Sequence, residues 1–400
     1  MKHLARWIGT AFAAALLCTL AVTAAGAESP GEWQTGEDGK QYWYENGVKQ
    51  GTEGRGKEIY DPASDAWYWL DAVQGGAKAV DKEVYMDYEG MQGAPKWVRY
   101  DEEGRMVKGW YTNDNGTYYY DLITGAMSKG DVLLDGVHYG FNAVTGVMLD
   151  KAWLNINGAD YWYEGGIRQG TEDRGKEIYD PASDAWYWLD AIQGGAKAVS
   201  KEVYMDYEGM QGDPKWVRYN DTGAMVKGWY TNENGTYYYD LITGAMTKGV
   251  ATIDGQVCCF DWASGVQQTG TRADNMRRAQ EVVNLVNQER ANNGLAPLTI
   301  DPTMAAAAEL RSRELEQSFS HTRPDGTTCF TVLEQNGIDY LMAGENIAAG
   351  YTSPNSVMTA WMNSPGHRAN ILRSEFDHIG VGCYESNGYL YWVQLFTWAI

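Results

Sequence analysis

Two hydrophobic rhythms run along this chain. From residue 31 to about 268, short runs dense in Trp and Tyr are broken by glycine and turn residues, the signal of β-hairpins. After residue 270 the pattern turns helical. Ala279, Val282, Val283 and Val286 fall on one helical face, and Gly294 offers a left-handed stop after Asn293. Asp301-Pro302 supplies an N-cap acceptor and a proline at the first helical position, opening a second helix with Met304, Ala307, Ala308 and Leu315 inward. Ser353-Pro354 opens a third that runs through Val357 to Trp361. His378–Tyr384 and Tyr389–Trp398 read as closing strands. Helices around a small antiparallel sheet predict an α+β domain.

The strand-rich part repeats itself. Tyr42–Gly130 returns almost letter for letter as Tyr161–Gly249, 119 positions later. Inside each copy runs a shorter period of roughly 20 residues, the range of stacked repeats. The clearest unit is Gly109-Trp110-Tyr111, Asn115-Gly116, Tyr118-Tyr119-Tyr120, then Gly125-Ala126-Met127. Its second copy places Trp229, Asn234-Gly235, Tyr237, Tyr238, Tyr239 and Met246 in the same order. Asn-Gly tolerates positive φ at both turn positions and predicts a hairpin around that step. A lone hairpin is marginal in water, so these hairpins are expected to stack as a β-hairpin solenoid. The segment Tyr60–Trp67, repeated at Tyr179–Trp186, lengthens one turn; Asp61, Asp65 and Asp71 there read as turn formers rather than a calcium site.

Thirteen of the 17 tryptophans lie between Trp33 and Trp262. Some rings must form the solenoid core, but a core does not need so many tryptophans. The array reads as a surface that grips a repetitive ligand, with Trp110, Tyr118–Tyr120 and Met127, and Trp229, Tyr237–Tyr239 and Met246, as candidate binding residues.

Charge and the ends of the chain narrow the partners. A net charge of −21 disfavours nucleic acid, whose phosphates would be repelled. Lys2, His3 and Arg6 precede the apolar stretch Trp7–Ala24 and the small-x-small triplet Ala25-Gly26-Ala27, so residues 1–27 read as a signal peptide. No other long apolar run follows, and an exported protein without a further membrane span is expected. Cys18 would leave with the signal. Cys258, Cys259, Cys329 and Cys383 would remain in an oxidising compartment, where adjacent Cys258 and Cys259 do not easily bridge each other.

The Gly-Trp, Tyr-Tyr-Tyr and Gly-x-Met spacing resembles the cell-wall-binding, or choline-binding, repeats of Gram-positive surface proteins. The resemblance implies cages of Trp, Tyr and Met between hairpins that hold a quaternary ammonium by cation–π attraction. Related repeats stack α-glucan rings on the same side chains, so choline-substituted teichoic acid and α-glucan both stand as ligands. Three further motifs follow the repeats: Phe319–Gly326 around His321, Ala343–Ala348 around Glu345, and Trp361–Leu372 around His367. Their order and spacing resemble the bacterial form of the CAP superfamily, the cysteine-rich secretory and pathogenesis-related proteins. That resemblance implies a three-layer α-β-α sandwich over residues 274–400, following a repeat region over 28–270. It also implies a cleft lined by His321, Glu345 and His367, and a lipid or protein partner. The family's second cleft glutamate is absent, since Asn363-Ser364-Pro365 occupies its segment.

Two neutral imidazoles and a carboxylate suit a divalent metal such as zinc, bound by His321 and His367 with Glu345 as base. The alternatives are a cleft that binds without catalysis, a wall-tethered hydrolase, or a glucan-binding adhesin. No G-x-S-x-G or H-E-x-x-H motif is present. Cys329 and Cys383, the two cysteines of this domain, are expected to form a disulfide.

Overall fold

The computed structural model describes residues 31–87, 94–206 and 214–399. The expected signal peptide, with Cys18, lies outside the described residues. The chain divides into two compact units, one ending at Ile156 but taking in Tyr163–Arg168, the other comprising Asn157–Trp162 and Gln169–Ile400.

Each unit holds one series of β-hairpins. In the first these pair Gly56–Asp61 with Ala66–Asp71, Lys82–Met86 with Lys96–Tyr100, Gly109–Asn113 with Gly116–Tyr120, and Gly130–Leu134 with Val137–Phe141. The second unit repeats the series from Gly175–Asp180 to Gln256–Phe260. Successive hairpins are joined through a main-chain bond that the sequence does not announce. The amide of Met106 donates to the Trp67 carbonyl at 2.8 Å, and that of Met127 to Trp97 at 2.8 Å. Met225 and Met246 do the same to Trp186 and Trp216. The thioethers pack where the next unit carries glycine: a Cβ on Gly146 would sit 2.3 Å from the Met127 sulfur. The Gly-x-Met signature is therefore a packing device between neighbouring hairpins.

The expected Asn-Gly turns are displaced by one residue. Asn113 pairs with Gly116, so Asp114-Asn115 form the loop, and the Asn113 side chain accepts the Asn115 amide at 2.9 Å. Gly116 opens the next strand at φ 138°, and Val147, after the following hairpin, leaves no room there for a Cβ. Turns with positive φ at both positions occur instead at Asn46-Gly47, Asp135-Gly136, Asp254-Gly255 and Asn387-Gly388. The aspartates at the lengthened turn act locally, as expected. Asp61 accepts from the Ala63 amide and the Ser64 hydroxyl, and Asp71 caps the short helical turn Ala72–Gln74.

The remainder of the second unit comprises α1 (Gly270–Asn292), β1 (Thr299–Ile300), α2 (Pro302–Gln317), α3 (Thr331–Gln335), β2 (Tyr340–Ala349), α4 (Pro354–Asn363), α5 (Pro365–Ile371), β3 (His378–Ser386) and β4 (Tyr389–Ala399). Asp301 caps α2 by accepting the Met304 amide, and Ser353 and Ser356 form a reciprocal capping box at α4. The sheet order is β1-β3-β4-β2. It is mixed rather than purely antiparallel: the two-residue β1, between α1 and α2, lies parallel to β3.

Side chains of β4 alternate between two cores. Trp392 and Phe396 join Val282 and Val286 of α1 and Val357 and Trp361 of α4. Val393 and Leu395 join Met304, Ala308 and Leu315 of α2. Gly380 and Gly382 let α2 lie directly on the β3 backbone; a Cβ on Gly382 would stand 2.0 Å from the Ala308 carbonyl oxygen. Gly382→Val is expected to push α2 off the sheet and to cost about 2–3 kcal/mol, as overpacking does. Urea denaturation checks this, and an unchanged midpoint would contradict the close approach.

Candidate functional site

The end of α2 places a charged residue where its apolar face predicts a hydrophobic one. Arg311 continues the inward stripe of Met304, Ala308 and Leu315, and its side chain is wholly buried. Its Nε donates to Glu345 Oε2 at 3.0 Å and its Nη2 to Glu345 Oε1 at 3.4 Å. Glu345, on β2, is 1% exposed, and its Oε1 also meets His321 Nδ1 at 2.7 Å. Arg311 further donates to the Ser320 carbonyl, fixing the loop that carries His321, and to Glu314 Oε2 at 2.8 Å. Glu314 in turn accepts from Arg323, which also holds Thr331 and Gln335. Burial alone would raise the Glu314 pKa, but hydrogen bonds from Arg323 and Arg311 outweigh it and lower it.

A second, neutral network positions α5. Asn346 is fully buried; its Nδ2 donates to the His367 carbonyl at 3.0 Å and to Gln394 Oε1 at 2.9 Å. Asn370 donates to Asn346 Oδ1 at 2.9 Å and to the Glu345 carbonyl at 3.3 Å. His321 and His367 thereby line one cavity of 660 Å³, walled by Phe319, Tyr351, Trp361 and Ile347. Glu345 stands behind His321, outside the cavity lining. Burial, then the charge of nearby His321, holds His367 below its ordinary value of 6.5, so its neutral form is favoured near pH 7. Arg311, Glu314, Asn346, Asn370 and Gln394 were not singled out as site residues from the sequence. The one signal was Arg311, a charge at an inward helical position.

The expected Cys329–Cys383 bridge is not formed; both thiols are free. Cys329 lies among the ligand atoms of His321 and Glu345, all within 4.8 Å. Glu345 faces the Leu395 side of the sheet, whereas Cys383 packs in the opposite core and points at Asn275 of α1. The two sulfurs are thus on different faces. Burial pushes each thiol up to about 12, with Glu345 adding to the effect at Cys329, so neither is an activated nucleophile.

In the hairpins the structure separates the predicted aromatic residues by role. Tyr118, Tyr120, Tyr237 and Tyr239 are buried in the hairpin cores, Tyr120 and Tyr239 fully. Met127 and Met246 pack beside them. Trp110 and Trp229 are nearly half exposed, each edge-on to its cross-strand partner, Tyr119 or Tyr238, at 5.1 Å. The preceding hairpins carry the same device: Tyr60 with Trp67, Tyr85 with Trp97, and the copies Tyr179 with Trp186 and Tyr204 with Trp216, all at 5.2–5.4 Å. These four pairs are not evident in the sequence because hairpin register decides which rings face each other across the strands.

Two outcomes follow. Arg311→Met leaves Glu345 buried without its guanidinium and should destabilise the fold by about 3–5 kcal/mol in urea titration; a loss under 1 kcal/mol would contradict the ion pair's role. His367 takes up a proton less readily folded than unfolded. Stability should therefore be full above pH 6.5 and fall as pH drops from 6.5 towards the depressed folded value. In His367→Gln this component of the pH dependence should vanish; an identical profile in both proteins would exclude His367 as its source.

Residues 283–396 match the model of the CAP family, described as the cysteine-rich secretory protein family. The chain is similar to the uncharacterized protein YkwD of Bacillus subtilis (strain 168), 44% identical over 119 residues, which are 29% of this chain and 46% of that protein. It is also similar to glucosyltransferase-S of Streptococcus downei, 25% identical over 193 residues, 45% of this chain and 13% of that protein. Among solved structures, choline binding protein F from Streptococcus pneumoniae is similar over 62% of this chain and 96% of its own, at 18% identity and a TM-score of 0.34. The chain spans less than half the length of the YkwD protein it matches. The match to the CAP family thus lies in the C-terminal part of the chain, over residues 283–396.

Proposed function

We propose that this is an exported, surface-associated binding protein. Its hairpin solenoid holds a cell-wall polymer or glycan, and its CAP domain, an α-β-α sandwich, presents a preorganised His/Glu cleft. The observation that carries the reading is the series of partly exposed Trp/Tyr pairs, directly opposed across the strands of successive hairpins. Partly exposed rings at regular intervals are costly to leave in water, and suit a ligand that repeats along its own length. Sugar faces stack on such rings and quaternary ammonium groups lie over them, so both a glucan and a choline-bearing polymer fit.

The cleft supports binding better than hydrolysis. Both Glu345 oxygens are engaged, by Arg311 and His321, and the carboxylate is not among the residues lining the cavity, which argues against the expected role of general base. The residues do fit a divalent ion such as zinc in another way. His321, oriented by a carboxylate on Nδ1, would offer Nε2, and His367 a ring nitrogen, with Glu345 supporting rather than ligating. An ion held there would supply Lewis acidity to a bound carbonyl. The apolar walls from Phe319, Tyr351 and Trp361 suit the nonpolar part of an organic ligand such as a lipid.

Binding to purified cell walls, with choline and maltodextrin as competitors, tests the anchoring. Trp110→Ala with Trp229→Ala should fold normally yet be retained less than either single variant, by roughly tenfold or more, because linked weak sites act together. Tyr120→Ala should instead lower stability by about 3–5 kcal/mol, as removal of a buried ring does. Equal retention of wild type and double variant would remove these tryptophans from the binding surface.

A further inference from the structure

Within the second unit, an 840 Å³ cavity lies where the last hairpins meet the start of α2. Tyr204 and Trp216 form one wall, with ring centroids 5.2 Å apart. Lys215 and Lys248 line a second, and Asp301 and Thr303, at the first turn of α2, a third. Lys215 is engaged with the Thr243 carbonyl at 3.0 Å. Among the described residues, Lys248 has no hydrogen-bond or ion-pair partner, and Asp261 and Glu202 act on it only at longer range. Carboxylates near it are already committed: Asp261 to Arg272 and Ser264, Glu202 to Arg218 and Tyr239. Asp301 is committed too, as the cap that accepts the Met304 amide.

The first copy provides an internal control. Lys129 stands in its sequence at the place of Lys248, after the same Gly-Ala-Met triplet. Its ammonium is bonded to the Val144 carbonyl at 2.7 Å. The same lysine is therefore satisfied in one copy and left unpaired in the other, where the helical domain supplies a wall. In a chain of net charge −21, a half-buried ammonium with no partner beside an aromatic platform is a marked departure. Burial lowers the Lys248 pKa, a cost that an approaching anion would relieve.

We infer that this junction is a binding site for an acidic saccharide, a sugar ring stacked on Trp216 and Tyr204 with its anionic group on Lys248. Choline is disfavoured here, because its cation would face that ammonium. The site uses one Trp/Tyr pair of the array and so rests in part on the wall-binding reading, but its ligand class is different. The anion can be a carboxylate or a phosphate on the sugar.

Calorimetry on the full chain tests it with trigalacturonate, glucose 6-phosphate, maltotriose and choline chloride. Trigalacturonate or glucose 6-phosphate should bind more tightly than neutral maltotriose, and whichever binds identifies the anion. Lys248→Gln should weaken that binding at least about tenfold, the loss of one charge-assisted hydrogen bond. Lys248→Arg should retain it, and Lys129→Gln should leave it unchanged. Equal affinity for maltotriose, no effect of Lys248→Gln, or an equal loss in Lys129→Gln would overturn the site. Should the Gln variant fail to fold, Lys248→Met carries the same expectation. Wall retention that persists without acidic saccharide binding sinks this site alone. Saccharide binding that depends on Lys248 without wall retention sinks the anchoring reading alone.

Discussion

The cleft depends on one buried ion pair. Arg311 and Glu345 lose nearly all their hydration, and only several well-made hydrogen bonds repay such a loss. Those bonds are what assemble the site. They join α2 to β2, tie down the Ser320 carbonyl beside His321, and hold the carboxylate against the His321 imidazole. The chain Arg323–Glu314–Arg311–Glu345–His321 runs from a surface loop into the domain interior and ends at the cavity. The His367 side is fixed without charge, by Asn346, Asn370 and Gln394. One histidine is thus positioned electrostatically and the other by neutral amides, with burial keeping the second imidazole basicity low.

The hairpins solve a different problem. They have little depth in which to hide side chains, so main-chain bonds and glycine-to-methionine packing carry much of the cohesion between successive hairpins. The Met amide that reaches the Trp carbonyl of an earlier hairpin fixes register while leaving the indole free to face outward. Cohesion and the exposed aromatic surface are therefore supplied by different atoms of the same residue, Trp97 or Trp216 for example. That division explains how a sequence can repeat nearly unchanged and still expose an aromatic pair on hairpin after hairpin.

Much of this was legible in the residues. Asp301-Pro302 and Ser353-Pro354 mark helix starts because capping is local, and the closing strands are evident because both are long and apolar. The three motifs around His321, Glu345 and His367 carried the family. What escaped was nonlocal. Arg311 reads as an ordinary helical arginine until the sheet brings Glu345 to it. The pairing of Tyr85 with Trp97 depends on hairpin register, and the separation of Cys329 from Cys383 depends on which face of the sheet each reaches. The Asn-Gly turn is displaced, and Val147, after the following hairpin, leaves Gly116 no room for a Cβ.

The central claim is that Glu345, held by Arg311, fixes His321 with Nδ1 as donor and Nε2 free for the cavity. Long-range nitrogen-15 NMR of the imidazole at neutral pH tests this most directly. The account predicts the Nδ1–H tautomer for His321, with Nε2 showing the shift of an unprotonated nitrogen. A dominant Nε2–H tautomer would contradict it, since the carboxylate would then face a lone pair.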